Sequence, residues 1–357
     1  MNKYVPFLKL KVNEVGALNE LADDLKATIV PFFDLPRKKE GMTAEEFCAL
    51  TEKSARSVER NLSDFGAFYL DNFDIEDTVK VNGTDNYQFV IDRFCKTNFI
   101  PVIGLDRTFA RNQLVFDAKK SGQINANQIA LRLQAEDIEE FALVQSEILD
   151  LFNLGSGLFE QWILIIDNRV CIEIDAGKRA AQLLSFVPAC LKAIPFDEVV
   201  VTGSSIPASI GDVIGTNSEG VHERQELSIF QPVIEKIRNG KISFGDYTIV
   251  SPLYSDIDIP PEALRNVTAP KIAYSYGKVH YIFRGGQLSS HPRGNLQYND
   301  LAERLVSMEF YRTPPYSFGD HYLNEKANGR GKGVTPSSIL KPTINAHITY
   351  MCRDFKF

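Results

Sequence analysis

Gln161-Trp-Ile-Leu-Ile-Ile-Asp167 is the stretch that decides the fold. Five apolar residues in a row, three of them β-branched, run directly into a carboxylate. A run this short and this apolar reads as a strand buried on both faces, because a strand with one wet face would alternate. The chain repeats the design in both directions: a buried run, a polar residue at its C-terminal end, then a segment with helical spacing.

The first such run is 4–11. Val5, Phe7 and Lys9 share one face, and Pro6, Leu8 and Leu10 the other. The wholly apolar face is expected to meet helices, which turns Lys9 to the opposite side near the strand's end. Further strands are expected over 28–34, 65–71, 99–105, 128–134, 198–203 and 246–251. Helices are expected over 14–26, 43–62, 86–96, 111–120, 137–152, 177–193 and 221–239. Thr43 and Glu46 have capping-box spacing, and Gly240 ends the last of these helices. Strands alternating with helices imply parallel pairing through right-handed crossovers. Eight such units, without a glycine-rich dinucleotide fingerprint after the first strand, favour a closed (β/α)8 TIM-like barrel over a doubly wound sheet.

Beyond Ser251 the rhythm breaks. Residues 253–297 read as an insertion in the last βα connection. It carries a β-hairpin, 271–275 with 278–284, around Tyr276-Gly277. The eighth helix is expected over 299–311. An irregular C-terminal tail follows over 314–357, with 344–350 extended. The whole chain, 1–357, reads as one barrel domain.

Composition limits the function. The 357 residues are 44% hydrophobic and 24% charged, ordinary for a globular chain with a full core. A net charge of −7 argues against a sequence-blind nucleic-acid binder. Five scattered cysteines without metal-ligand spacing read as reduced thiols. No apolar run nears the ~20 residues needed to span a bilayer, and no leader is apparent, so a cytoplasmic protein without a membrane partner is expected.

In such a barrel, chemistry collects at the C-terminal ends of the strands. The residues there are Lys9, Asp34, Asp71, Asp106, Arg132, Asp167, Ser204 and Ser251. Parity puts Asp34 on the face of Phe32, Asp71 on that of Tyr69 and Asp167 on that of Ile165. Like charges 4 Å apart repel by about 4 kcal/mol at an effective dielectric of ~20, so gathered carboxylates need Lys9 and Arg132, a shared proton or a cation. Aspartate after a strand is also a common turn former and helix cap. Lys9 and Arg132 are the candidates for binding substrate charge. Asp106 or Asp167, with Asp34 and Asp71, would act as base or hold Mg²⁺. Ser204 follows Gly203 where backbone amides can meet an anion. His347, in an otherwise apolar stretch, is expected to reach Asp320 and form an oriented acid–base pair. The run from Gly329 to Gly333 lacks the Walker spacing and reads as linker.

Several short motifs together resemble the beta protein family of bacteriophages and bacteria. They are Tyr4-Val-Pro-Phe-Leu-Lys9 with Glu14, Arg224 with Glu226-Leu227, and Phe244-Gly-Asp246-Tyr247. Arg284-Gly285, Ser317-Phe-Gly-Asp320 and Asn345-Ala-His347-Ile348 complete the set. The resemblance implies no defined activity, but it implies a phage or antiviral-defence setting. It adds Glu14, Glu226, Asp246, Arg284 and Asp320 as ligand-binding candidates.

Two functions are therefore expected in competition. One is an enzyme taking a small anionic or nucleotide-like ligand at the barrel mouth, with hydrolytic or phosphoryl chemistry. The other is a non-catalytic scaffold whose 271–284 hairpin offers Tyr274, Tyr276, Tyr281 and Phe283 to a protein partner.

Overall fold

A computed structural model describes residues 4–38, 41–237, 242–254 and 268–356. The barrel strands are β1 (Tyr4–Lys9), β2 (Phe32–Asp34), β3 (Phe68–Asp71), β4 (Phe99–Gly104), β5 (Gln128–Leu133), β6 (Gln161–Val170) and β7 (Glu198–Ser204), closed by β9 (Ile242–Asp246). They pair in parallel in the ring order β1-β9-β7-β6-β5-β4-β3-β2. The chain is a TIM-like α/β barrel, as the repeated buried runs require. Its helices α1 (Val12–Asn19), α2 (Ala44–Asn61), α3 (Asn86–Phe94), α4 (Phe109–Lys120), α5 (Phe141–Gly155), α6 (Ala176–Ala193) and α7 (Gln225–Lys236) follow the strands in turn. Thr43 and Glu46 form the expected reciprocal cap on α2.

Parity holds on β1. Phe7 stacks on Phe32 at 4.3 Å inside the ring and also packs on Tyr247. Gly245 on β9 allows this, since a Cβ there would come within 2.7 Å of the Phe7 ring.

Four sequence expectations are corrected. The last barrel strand ends at Asp246 instead of beginning there, so Ser251 is not a strand-end residue. Residues 218–223, partly assigned to a helix, form β8 (Ser218–Glu223), an extra strand on the hairpin. The hairpin itself, β10 (Lys271–Tyr276) and β11 (Val279–Arg284), turns where expected and completes a three-stranded sheet in the order β8-β11-β10. The helix expected over 299–311 is α8 (Gln297–Val306), which packs on the hairpin and not on the barrel.

The tail is the fourth correction, because it is helical. It contains α9 (Phe318–Ala327) and α10 (Leu340–Arg353). Helix α10 lies against α1 and β1 and takes the eighth position of the outer ring. Asn345 Nδ2 donates to the Ala17 carbonyl at 3.0 Å, and Asn345 Oδ1 accepts from the Gly319 amide, so α10 ties α9 to α1. Residues 342–351 are all buried, so no polar face shows a helical period in this segment. The Gly240 cap lies outside the described residues, as does much of the insertion. Among the described residues no helix is long and apolar enough to cross a membrane.

Candidate functional site

At the C-terminal end of the ring the strand tips converge on one guanidinium. Arg132 Nη1 donates to Asp34 at 2.7 Å and to Asp71 at 2.9 Å. Its Nη2 donates to Asp167 at 2.6 Å and to the Tyr247 hydroxyl at 2.9 Å, and its Nε reaches Asp167 at 3.1 Å. Tyr247 donates in turn to Asp167. Arg107 bridges Asp71 at 2.8 Å and Asp106 at 2.5 Å. Arg111 stands 3.8 Å from Asp71 and stacks on Tyr87. The expected carboxylate repulsion is thus met by arginines, with Arg132 at the hub and wholly buried.

This arrangement changes the roles assigned from sequence. Arg132 spends its donors on protein carboxylates and the Tyr247 hydroxyl and has none to offer a ligand. Asp34 and Asp71, the Mg²⁺ candidates, face that guanidinium. Among the described residues no group of three or more His, Cys, Asp or Glu side chains is placed to hold a metal ion. The donor set does not fit Mg²⁺, since a cation between Asp34 and Asp71 would meet Arg132.

Two groups at the rim are tuned towards neutrality. Burial raises the Asp34 carboxyl to about 6, with Arg132 opposing and Asp74 and Asp71 reinforcing. Burial lowers the Lys9 amine to about 8, with Asp74 and Asp34 opposing. Lys9 and Asp34 are register partners on adjacent strands. Asp71 would also be raised by burial, but Arg107, Arg132 and Arg111 hold it below the usual range. Burial raises Asp106 as well.

Beside Lys9, on the far side of the Tyr254 ring, opens a cleft of about 370 Å³ lined by Arg37, Phe73, Asp74, Arg169, Leu253 and Tyr254, among others. Lys9 Nζ sits 3.0 Å from the centre of the Tyr254 ring. Arg169 is 3.6 Å from Asp74, yet among the described residues its Nη1 and Asp74 Oδ2 have no hydrogen-bond partner. Glu14, on α1 just after β1, is buried; its carboxyl is raised by burial and its Oε2 is also unpartnered.

The backbone is strained at two strand ends. Arg169 and Thr248 have φ of 52° and 58°, in the left-handed region. Asp167 Oδ1 accepts from the Arg169 amide and Asp246 Oδ1 from the Thr248 amide, both at 2.9 Å. These turns aim Arg169 over the mouth and place Tyr247 inside it. A β-branched residue in this region costs of order 1–3 kcal/mol, the kind of strain that gathers at working sites.

A second buried cluster lies outside the ring, between β1, β9, α7, α10 and the hairpin. Asp246 accepts from Tyr4 at 2.6 Å and from Arg224 at 2.5 Å, and lies 3.0 Å from His347 Nε2. Arg224 Nε donates to Glu226 at 2.8 Å, and Ser205 Oγ to the other Glu226 oxygen. His347 Nδ1 meets Ser275 Oγ at 2.6 Å, and the same hydroxyl lies 2.9 Å from His280 Nδ1. Ser275, His347 and Asp246 follow one another as in a nucleophilic triad. Each is only 1% exposed, however, and the hydroxyl is held between two imidazoles. The cluster ties the hairpin and α10 to the barrel. His347 therefore pairs with Asp246, not with Asp320. Asp320 instead accepts from Tyr274 at 2.5 Å and from Ser317, fastening α9 to the hairpin.

A family model described as Beta protein matches residues 4–353. The chain belongs to the Beta protein family. No curated protein matches it. The residues that resemble the Beta protein family divide between the two clusters: Lys9 and Glu14 at the rim, and Tyr4, Arg224, Glu226, Asp246 and His347 in the flank. Arg284 and Asp320 belong to neither; Arg284 donates to the Ile214 carbonyl beneath the hairpin. Ser204 ends β7, and its hydroxyl accepts from the Ile206 amide. Sequence reasoning missed Arg107, Arg169, Asp74, Phe73 and Tyr254 as site residues. Arg169 was within reach, two positions past Asp167 in the irregular last residues of β6.

Proposed function

We propose that the barrel rim binds a small anionic ligand and performs proton-transfer chemistry on it. The observation that carries this reading is a carboxyl and an amine at neighbouring strand ends, Asp34 and Lys9, both drawn towards neutral pH beside a cleft that Arg37, Arg169 and Asp74 help to line. Arg169, which lines that cleft with its side chain 17% exposed, supplies the anion contact. Asp34 and Lys9 would exchange protons with the ligand over a hub that Arg132 fixes in place. Hydrolytic or phosphoryl chemistry on a nucleotide-like ligand fits this set of groups. A phage or antiviral-defence role rests on the family resemblance alone.

The test is thermal stabilisation of the protein by inorganic phosphate and by AMP. Binding to the folded state raises the melting temperature with ligand concentration. Arg169→Met should weaken that binding about tenfold or more, the worth of a charged hydrogen bond. An unchanged titration in Arg169→Met, or no stabilisation of the wild type by either probe, would remove the proposal's support.

The scaffold reading gains less from the fold. Tyr274 and Phe283 are buried, and Tyr281 stacks on Phe310 at 3.9 Å within the satellite core formed with α8 and α9. Of the four hairpin aromatics only Tyr276 is exposed.

A further inference from the structure

We propose that Lys9 is a nucleophile, forming an imine with the carbonyl carbon of a small aldehyde or oxo acid that bears a carboxylate. The inference rests on the rim-binding reading above and names the substrate class for it.

The geometry supplies each requirement. Lys9 is the last residue of an inward-facing strand position and is 7% exposed. No carboxylate lies within ion-pair distance of its Nζ among the described residues, although the rest of the mouth is densely paired. Its neighbour is the ring of Tyr254, which walls the cleft. The amine thus faces the aromatic ring that walls the cleft instead of a counter-ion. Two carboxyls lie near enough to share its field, its register partner Asp34 on β2 and Glu14 on α1. Arg169 waits across the cleft for a carboxylate. Burial of the amine raises the neutral fraction at pH 7 to about a tenth, against well under a hundredth for an ordinary lysine.

The step balances within these groups. The Lys9 lone pair attacks the carbonyl carbon, and Asp34 in its acid form protonates the carbonyl oxygen as the π bond opens. Glu14 takes a proton from the nitrogen of the resulting carbinolamine. The hydroxyl then leaves as water with the proton Glu14 returns, and the C=N bond forms as an iminium. Amine, carbonyl and the Asp34 proton become iminium and water; the iminium returns that proton to Asp34 to give the neutral imine, and no redox partner is needed.

The experiment incubates the intact protein with glyoxylate and cyanoborohydride at pH 7, then maps modified lysines by peptide fragmentation. Lys11, exposed and two residues away, is the internal control. Lys9 is expected to be trapped about tenfold faster than Lys11 or more, and excess phosphate should slow Lys9 but not Lys11. Because the wild-type chain is mapped, no variant has to fold. Trapping of Lys9 no faster than of Lys11 overturns the imine. If phosphate stabilisation still depends on Arg169 in that case, rim binding survives alone; if it does not, both readings fall.

Discussion

Replacing Arg132 with methionine keeps the length of the side chain and deletes its charge. Asp34, Asp71 and Asp167 all lean on this guanidinium at 2.6–2.9 Å, and all are 2% exposed or less. The three do not lose equally. Asp71 keeps Arg107 and Arg111, and Asp167 keeps Tyr247 and the Arg169 amide. Asp34 is left without its ion pair. Removing one partner of a buried pair costs about 3–5 kcal/mol, so Arg132→Met should lose about that much at pH 7. The loss should depend on pH. Without the arginine the Asp34 carboxyl, already at about 6 in the folded state, rises further above the unfolded ~3.9. A raised carboxyl contributes stability that is full below the unfolded value and is lost as pH rises, so the variant should recover towards wild type between pH 7 and pH 5. Trp162, the only tryptophan and 4% exposed on β6, reports urea unfolding directly by fluorescence. A deficit under about 1 kcal/mol at pH 7, or the same deficit at pH 5 as at pH 7, would refute the hub assignment.

Asp34→Asn should flatten part of the wild-type pH–stability curve: with a folded value of about 6, Asp34 stabilises fully below pH ~4 and that contribution, at most ~3 kcal/mol, is lost as pH rises through 6. Urea midpoints at half-unit pH steps check this, and an unaltered slope would count against it. Arg224→Met should cost about 3–5 kcal/mol by stranding Asp246 and Glu226. Asp246 is held below the usual carboxylate range by His347 and Arg224 against burial, so its stabilisation is present above pH ~4 and lost as pH falls below. The variant should therefore show a weaker acid limb, and a melt at pH 3 against pH 7 decides it. Gly319→Ala places a Cβ 2.0 Å from the Pro342 carbonyl oxygen and 2.7 Å from Ala346 Cβ. It should cost more than the ~1–3 kcal/mol of ordinary overpacking and open the α9–α10 contact to limited proteolysis; wild-type resistance would show that the helices can part without cost.

The barrel was legible because each buried run is local: the apolar stretch from Trp162 to Ile166 has one comfortable conformation whatever surrounds it. Strand parity then fixed which tips point inward, so Asp34, Asp71, Arg132 and Asp167 could be gathered from sequence. Their mutual pairing could not, because it depends on which tips meet across the ring. Arg107 was missed because it lies past its strand, and Arg169 because β6 runs on beyond Asp167 through an irregular, left-handed step that alternation does not foresee. The strand at 218–223 owes its conformation to a partner some sixty residues away, pairing Val221 with Tyr281. Asn345-Ala-His347-Ile348 misled for the opposite reason. Its alternation looks extended, but the helix is enclosed on every side and needs no polar stripe.

Helix α10 also has a consequence for assembly on the ribosome. The strands that meet at the ring's seam, β1 and β9, are both complete by residue 246, yet the helix that covers them begins at 340. For roughly a hundred residues of synthesis the outer face of that seam, with Tyr4 and Asp246 on it, has no roof. Nascent barrels would spend that interval with a sticky stripe exposed, a natural place for a chaperone to hold on.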